Sequence, residues 1–454
     1  MFVFLVGVLL LAGTKVDDPP TLFAGVAVRS ITPRVSPADP PVYLAGFGHD
    51  RVARAIDGDL TARALVLSQG SETVALVAVD LIGLLAGEVQ AVRCALAERC
   101  AGEGPLELFV AATHTHAGPD TMGLWGRRPW LSGASRGYLR HVREAIVECV
   151  VEARRRLQPS VLHAGTVDVS DRIRDTRPPQ VIHGEMTVLA VESTEGAAIA
   201  TVVNLSNHPE VLSARNPVLS ADFPYYLRRK IEAERGGVAL YLSGAVGGLM
   251  TPRRVEVIDP ITKERAPRGS LRACELYGEE LGAKALGALR SGRQLGAPRV
   301  RSATHAIRIP LENGRFRLAR WLGVVERDLV DGEIASEVGL VDLGELQMVA
   351  VPGELYPELW VGGVQHPEGA DLDEVPALAP LRETVAGPFR MILGLCNDEL
   401  GYLIPPGQWD RGAPYTYDQD EAPYGEVNSV GPLAAERVVR GVEALVASLS
   451  KRRD

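Results

Sequence analysis

The chain alternates short stretches dense in Val, Leu, Ile and Ala with longer ones whose apolar residues recur every three or four positions. The dense stretches predict strands at 63–67, 73–79, 106–112, 186–191, 198–205, 238–242, 338–351 and 390–395. Several run apolar without a break rather than alternating, as strands do when both faces are covered. The longer spacing predicts helices at 86–99, 136–157, 223–234, 270–289 and 432–449, with Pro432 suited to a first helical turn. Strands and helices in alternation give an α/β protein, with mixed β-sheets flanked by helices. Pro- and Gly-rich patches at 36–41, 367–380 and 404–423 read as long surface loops. Residues 251–268 mix Pro with both charge signs and read as a flap. No repeat or low-complexity tract divides the chain, so residues 20–454 are expected to form one large domain.

Charge and cysteine usage narrow the picture only a little. A net charge of −9 over 454 residues, with no basic face in evidence, argues against nucleic acid as a partner. The opening M-F-V-F-L-V-G-V-L-L-L-A-G is too short to span a bilayer. It fits a signal peptide or an N-terminal anchor over residues 1–19, although no Lys or Arg precedes it. The expected location is therefore outside the cytoplasm (periplasmic or secreted), or at a membrane held by that run. Five cysteines form no C-x-x-C pair, and the odd number rules out complete intramolecular pairing. Cys94 and Cys100 are near enough to pair, and a reduced chain fits equally well.

The densest chemistry lies in L-F-V-A-A-T-H-T-H-A-G-P-D, residues 108–120. An apolar strand runs into His114 and His116, then turns at Gly118-Pro119. Alternate residues of a strand leave on one side, so both imidazoles are expected on one side at a strand end, where α/β sheets place ligands. Two neutral imidazoles aimed at one point suit a transition metal, zinc first. Two hydroxyl-flanked surface histidines would give the same string. His208, in V-N-L-S-N-H-P-E, also closes an apolar run, and the following Pro holds it extended. Downstream, Asn216, Ser220 and Asp222 are placed to orient that ring, and Asp222 equally to cap the next helix. Glu354 follows Pro352-Gly353 and is expected at a helix start, where the helix dipole favours its charge. Tyr402 and Tyr424 close two further stations, with packing as their default role. Asp80 is expected to cap or brace a turn.

Taken in order, A-A-T-H-T-H-A-G-P, V-N-L-S-N-H-P, L-S-A-D-F-P, V-P-G-E-L and G-L-C-N-D-E-L-G-Y resemble the neutral (non-lysosomal) ceramidase family, specifically its N-terminal catalytic domain. The resemblance runs from about Leu22 to Gly425. It implies a zinc-dependent amidase that splits N-acyl sphingoid lipids into fatty acid and amine. One zinc ion per chain would be held by His114, His208, Glu354 and Tyr402. His116, Arg177 and Tyr424 would act on the substrate, with Arg174 a rival for the arginine. Gly46 and Ser243 would line the substrate site. The family's S-N-x-G-D-x-S-P becomes S-G-A-V-G-G-L-M-T-P here, with Gly248 where the aspartate stands. The family's C-terminal immunoglobulin-like domain is not expected within residues 20–454.

The partner implied is a lipid-like N-acyl substrate, with transient contact at a membrane surface. Trp125, Trp130, Leu131, Trp321, Leu322 and Trp360 are the large apolar residues available for such a substrate. Competing readings are a zinc hydrolase of another N-acyl amide or ester, a non-catalytic exported homologue, and, more weakly, a metal phosphoesterase built on residues such as Asp80.

Overall fold

The computed structural model describes residues 20–451, except 373. The expected N-terminal signal or anchor at 1–19 lies outside the described residues. Among these residues no helix is long and apolar enough to cross a membrane.

Two mixed sheets stack face to face, each backed by helices. The larger has nine strands. From one edge its order is Val238–Ser243, Ala198–Leu205, Glu185–Ser193, Gln158–Asp168, Leu22–Ser30, Thr61–Gln69, Glu72–Val79 and Glu107–Ala112, with Arg293–Gln294 beside Gln158–Asp168. The pairings at the two ends are parallel and those between are antiparallel. The smaller sheet has five strands: Arg301–Pro310, Glu333–Asp342, Leu346–Ala350 and Phe389–Leu393 in order, with Leu329–Val330 beside the second.

The unbroken apolar strands are explained by this stacking. Along Thr61–Gln69, Leu65 and Leu67 face the second sheet, while Ala62, Ala64 and Val66 face the helices Ala86–Arg99 and Arg136–Arg155. Phe109 and Val110 divide in the same way. Helices Phe223–Arg235 and Leu271–Ser291 cover the other end of the large sheet. The C-terminal helix Ala434–Lys451 covers the outer face of the small one.

Two expectations need correction, and the cysteine state, left open by the sequence, is decided. The run 338–351 is two strands: Asp342 accepts the Gly344 N–H, and Gly344 at φ +87° turns the chain back. Strands Leu22–Ser30, Gln158–Asp168 and Arg301–Pro310 were not expected from the pattern; the last has one face largely exposed and so lacks a dense apolar run. All five cysteines are free thiols, with Cys94 exposed on its helix and Cys100 at that helix's end.

Candidate metal centre

Four parallel-paired strands, two from each sheet, end at one place. Glu107–Ala112 leads to His114 and His116, and Ala198–Leu205 leads to His208. Leu346–Ala350 leads to Glu354, and Phe389–Leu393 leads to Tyr402. The two edges of the large sheet meet here: Ser243 Oγ donates to the Thr113 carbonyl at 2.8 Å.

The local reason for the histidine geometry differs from simple strand alternation. The strand stops at Ala112, and His114 takes φ +66°, an uncommon conformation away from glycine. Its N–H bonds to the Leu81 carbonyl, and Thr115 Oγ donates to the Ser220 carbonyl. Both threonine side chains turn inward, so the histidines are buried rather than on the surface. His114, His116 and His208 offer ligand atoms that all lie within 4.8 Å of one another.

Two of these rings are oriented by the backbone. His114 Nδ1 lies 2.7 Å from the Ile82 carbonyl, and His208 Nδ1 lies 2.7 Å from the Met250 carbonyl. A proton on each Nδ1 leaves each Nε2 lone pair aimed inward, the arrangement that metal-binding imidazoles use. Both Nε2 atoms reach the same oxygen, Glu354 Oε2, at 3.5 Å and 3.0 Å. Burial would raise the Glu354 carboxyl, but the two imidazoles outweigh it and hold it well below the usual carboxylate range. The same contact holds His208 above its ordinary value, against burial.

Glu354 does not start a helix. Glu354–Leu355 is a short strand in parallel register with Tyr402–Leu403, and the next helix begins at Glu358. That register sets Tyr402 beside Glu354. Burial and then the Glu354 charge push the Tyr402 phenol well up. A nearby cation is what would make it an oxygen ligand. Two nitrogens and a carboxylate converging in a buried pocket match the donor set of catalytic zinc.

His116 differs from its neighbours. Both ring nitrogens are buried and without a hydrogen-bond partner, and Glu210 Oε2 is 3.9 Å from Nδ1. Burial, then the neighbouring imidazoles, push its pKa well down, so the ring is neutral. Gly46, at φ +90°, passes so close that a Cβ there would sit 2.4 Å from His116 Cγ.

Several of these groups form one wall of an open-mouthed cleft. Gly46, His114, His116, Glu354, Tyr402 and Tyr424 line it together with Leu124, Trp125, Phe316 and Val325. Tyr424 is more than half exposed. The side that faces the cleft is desolvated, and this, then Glu354 and Glu210, pushes its phenol up to about 12, so it is a proton donor at neutral pH.

The remaining expected residues sit elsewhere. Ser243 is fully buried on the Thr113 carbonyl and is not among the residues lining the cleft. Arg177 is also outside the lining: it pairs with Glu358 at 2.7 Å, donates to Gln408 and stacks 4.3 Å over Tyr356. Gly248 lies against it, with an ideal Cβ 3.4 Å from Nη2, so Arg177 finds its carboxylate in Glu358. Arg174 is exposed. Asp222 caps Phe223–Arg235 and also accepts the N–H groups of Val211 and Leu212, just past His208. Asn216 bonds only within its own turn, and Ser220 holds Thr115 rather than His208. Trp360 is core.

Three residues were not singled out in the sequence. Arg51 donates to the carbonyls of Ala45, His116 and Ala214 and so ties the Gly46 loop to His116. Glu210 was in view as the last letter of N-H-P-E. Glu399 lines the cleft with one buried oxygen unpartnered, and burial then Glu354 push its carboxyl well up.

No family model and no curated protein matches the chain. Solved structures do. A ceramidase described as complexed with C2 superposes with a TM-score of 0.72 at 17% identity, over 96% of this chain and 76% of that one. A neutral ceramidase from Pseudomonas aeruginosa gives 0.72 and 17%, over 95% and 75%. The stacked mixed sheets, with a buried histidine cluster where their strands end, are built on the fold of the neutral ceramidases.

Proposed function

We propose that this chain is a zinc-dependent amidase that hydrolyses the N-acyl bond of ceramide-like lipids to fatty acid and sphingoid base. The observation that carries the reading is the meeting of the buried His114 Nε2, His208 Nε2 and Glu354 Oε2 beside a largely apolar cleft that His114 and Glu354 line, with both Nδ1 atoms against backbone carbonyls. One zinc ion per chain would be held by His114, His208 and Glu354, with Tyr402 beside them. When bound, zinc supplies a Lewis acid and lowers the pKa of water from about 15.7 to about 7.

The chain's own groups do the rest. The apolar wall of Leu124, Trp125, Phe316 and Val325 receives the hydrocarbon and excludes water from the amide. Tyr424 donates its phenolic proton as a hydrogen bond to the carbonyl oxygen as charge develops there. Neutral His116 takes a proton on its free nitrogen from the attacking water and passes it to the departing amine. Gly46 and Arg51 hold His116 in place for that transfer. Arg177 acts at a distance, bracing Tyr356 and the loop around Gly248. An exported protein would meet such lipids at a membrane or in their aggregates. A phosphoesterase centred on Asp80 is not favoured, because that carboxylate is fully engaged by Arg228 and Thr61.

Metal analysis together with a substrate panel tests this. The chain should hold one zinc and cleave long-chain N-acyl sphingoid lipids. His114→Ala should lose zinc and activity together, whereas His116→Ala should keep zinc and lose turnover. Full zinc in His114→Ala would refute the centre. Activity confined to short soluble amides would refute the lipid substrate.

A further inference from the structure

The cleft opens between two segments of unusual composition. One is L-W-G-R-R-P-W-L, residues 124–131; the other is G-R-F-R-L-A-R-W-L-G, residues 314–323, which carries the helix Gly314–Trp321. Together they hold three of the chain's five tryptophans and five arginines, and no acidic residue, in a chain of net charge −9. They are far apart in sequence but adjacent in space. Trp125 and Phe316 line the same cleft, and Leu124, Trp125 and Ala319 pack on one small core cluster. A Cβ on Gly123 would strike the Val324 carbonyl, so the two segments interlock.

Their outer surfaces are exposed. Trp321 is 78% exposed, Trp130 58% and Leu318 55%, with Leu131 and Leu322 beside them. Each segment thus gathers exposed large apolar side chains, Trp130 with Leu131 and Leu318 with Trp321 and Leu322, and such groups mark an interaction site. None of the five arginines is in an ion pair among the described residues; Arg317 and Arg320 each donate one N–H to a backbone carbonyl, of Leu311 and Arg327, and of the flanking acids Glu312, Glu326 and Asp328, Glu326 is paired with Arg136.

The geometry points to this lip as a docking surface for an anionic lipid bilayer. A helix that mixes Arg with Trp, Phe and Leu lies in the plane of a membrane interface, burying its rings while the guanidinium groups stay at the headgroups. Five positive charges complement an anionic surface, whereas two copies of this lip facing each other in a symmetric dimer would repel. The lip is continuous with the apolar cleft, so docking would set the mouth of the site against the bilayer. Docking deepens the lipid reading of the cleft, yet it is measurable without turnover. A chain that binds bilayers but cleaves no N-acyl lipid would sink the amidase reading and leave this one standing.

The test is co-sedimentation of the full chain with phosphatidylcholine vesicles, neutral or with about one-third phosphatidylglycerol to give an anionic surface. Residues 2–13 are uncharged, so any contribution of theirs cancels in the anionic-to-neutral ratio. The wild type should prefer anionic vesicles, and high salt should erase the preference. Each arginine at such a surface is worth about fivefold, so Arg127→Gln with Arg128→Gln should lower the ratio about 25-fold. Trp130→Ala with Trp321→Ala should lower binding to both vesicle types, about tenfold or more, with an unchanged melting midpoint. Binding by either double variant equal to wild type would overturn the proposal. So would loss of a solution dimer, in place of vesicle binding, in the tryptophan variant.

Discussion

Replacing Gly46 with Ala should disable the site while leaving the fold intact. The added Cβ would sit 2.4 Å from His116 Cγ and 2.7 Å from Nδ1. Carbon atoms in contact normally stand about 3.5–4.0 Å apart, so ring and loop must separate by about 1 Å. The ring has little room to retreat: His114 and Phe47 lie 5.0 Å and 4.9 Å from it between ring centres, and His208 lies at 5.4 Å. The loop cannot easily yield either, because Arg51 pins both sides of the contact through the Ala45 and His116 carbonyls. A positive φ of +90° adds about 1–2 kcal/mol of backbone strain for a residue with a Cβ. A misplacement of about 1 Å at a reacting group costs about 100-fold in rate. The expected result is a kcat about 100-fold below wild type on a soluble N-acyl substrate, full zinc content, and stability lower by about 1–3 kcal/mol. Turnover within about threefold of wild type would refute the role of this contact in holding His116.

Two further outcomes follow from the buried polar groups around the site. Arg228 grips Asp80 through both nitrogens at 2.7 Å and 2.8 Å, both side chains fully buried, so Arg228→Met should cost about 3–5 kcal/mol by stranding the carboxylate, read by urea unfolding. His183, whose Nδ1 meets Ser206 Oγ at 2.8 Å, is pushed down to about 3 by burial and then by Arg382. The unfolded chain therefore takes up a proton near pH 6.5 that the folded one refuses, so stability is full above that pH and falls as pH drops toward 3. That loss should reach about 2 kcal/mol by pH 5, and His183→Gln should flatten it; an equal slope in the variant would contradict the assignment.

The strand ends were readable because their physical cause is local. A strand covered on both faces is largely apolar, as in residues 74–79 and most of Ala198–Leu205, and runs of polar residues then mark where it emerges. Glu354 shows the limit. Pro352-Gly353 before a carboxylate suits a helix start as well as a strand, and only the pairing with Tyr402–Leu403 decides between them. Arg51 and Glu399 gave no signal, because an arginine in a loop or a glutamate after an aspartate is ordinary until burial leaves it a single set of partners.

By itself the sequence determined most of the buried strands, and that imidazoles and a carboxylate follow the ends of several of them. Tertiary structure alone decided which nitrogen of each ring faces inward, because the groups that fix it are the backbone carbonyls of Ile82 and Met250. Every residue has a carbonyl, so no choice of side chain announces that one. The mouth of the cleft is the same kind of fact. Trp125 and Phe316 line one cleft only because the interlock at Gly123 and Val324 brings together segments nearly two hundred residues apart.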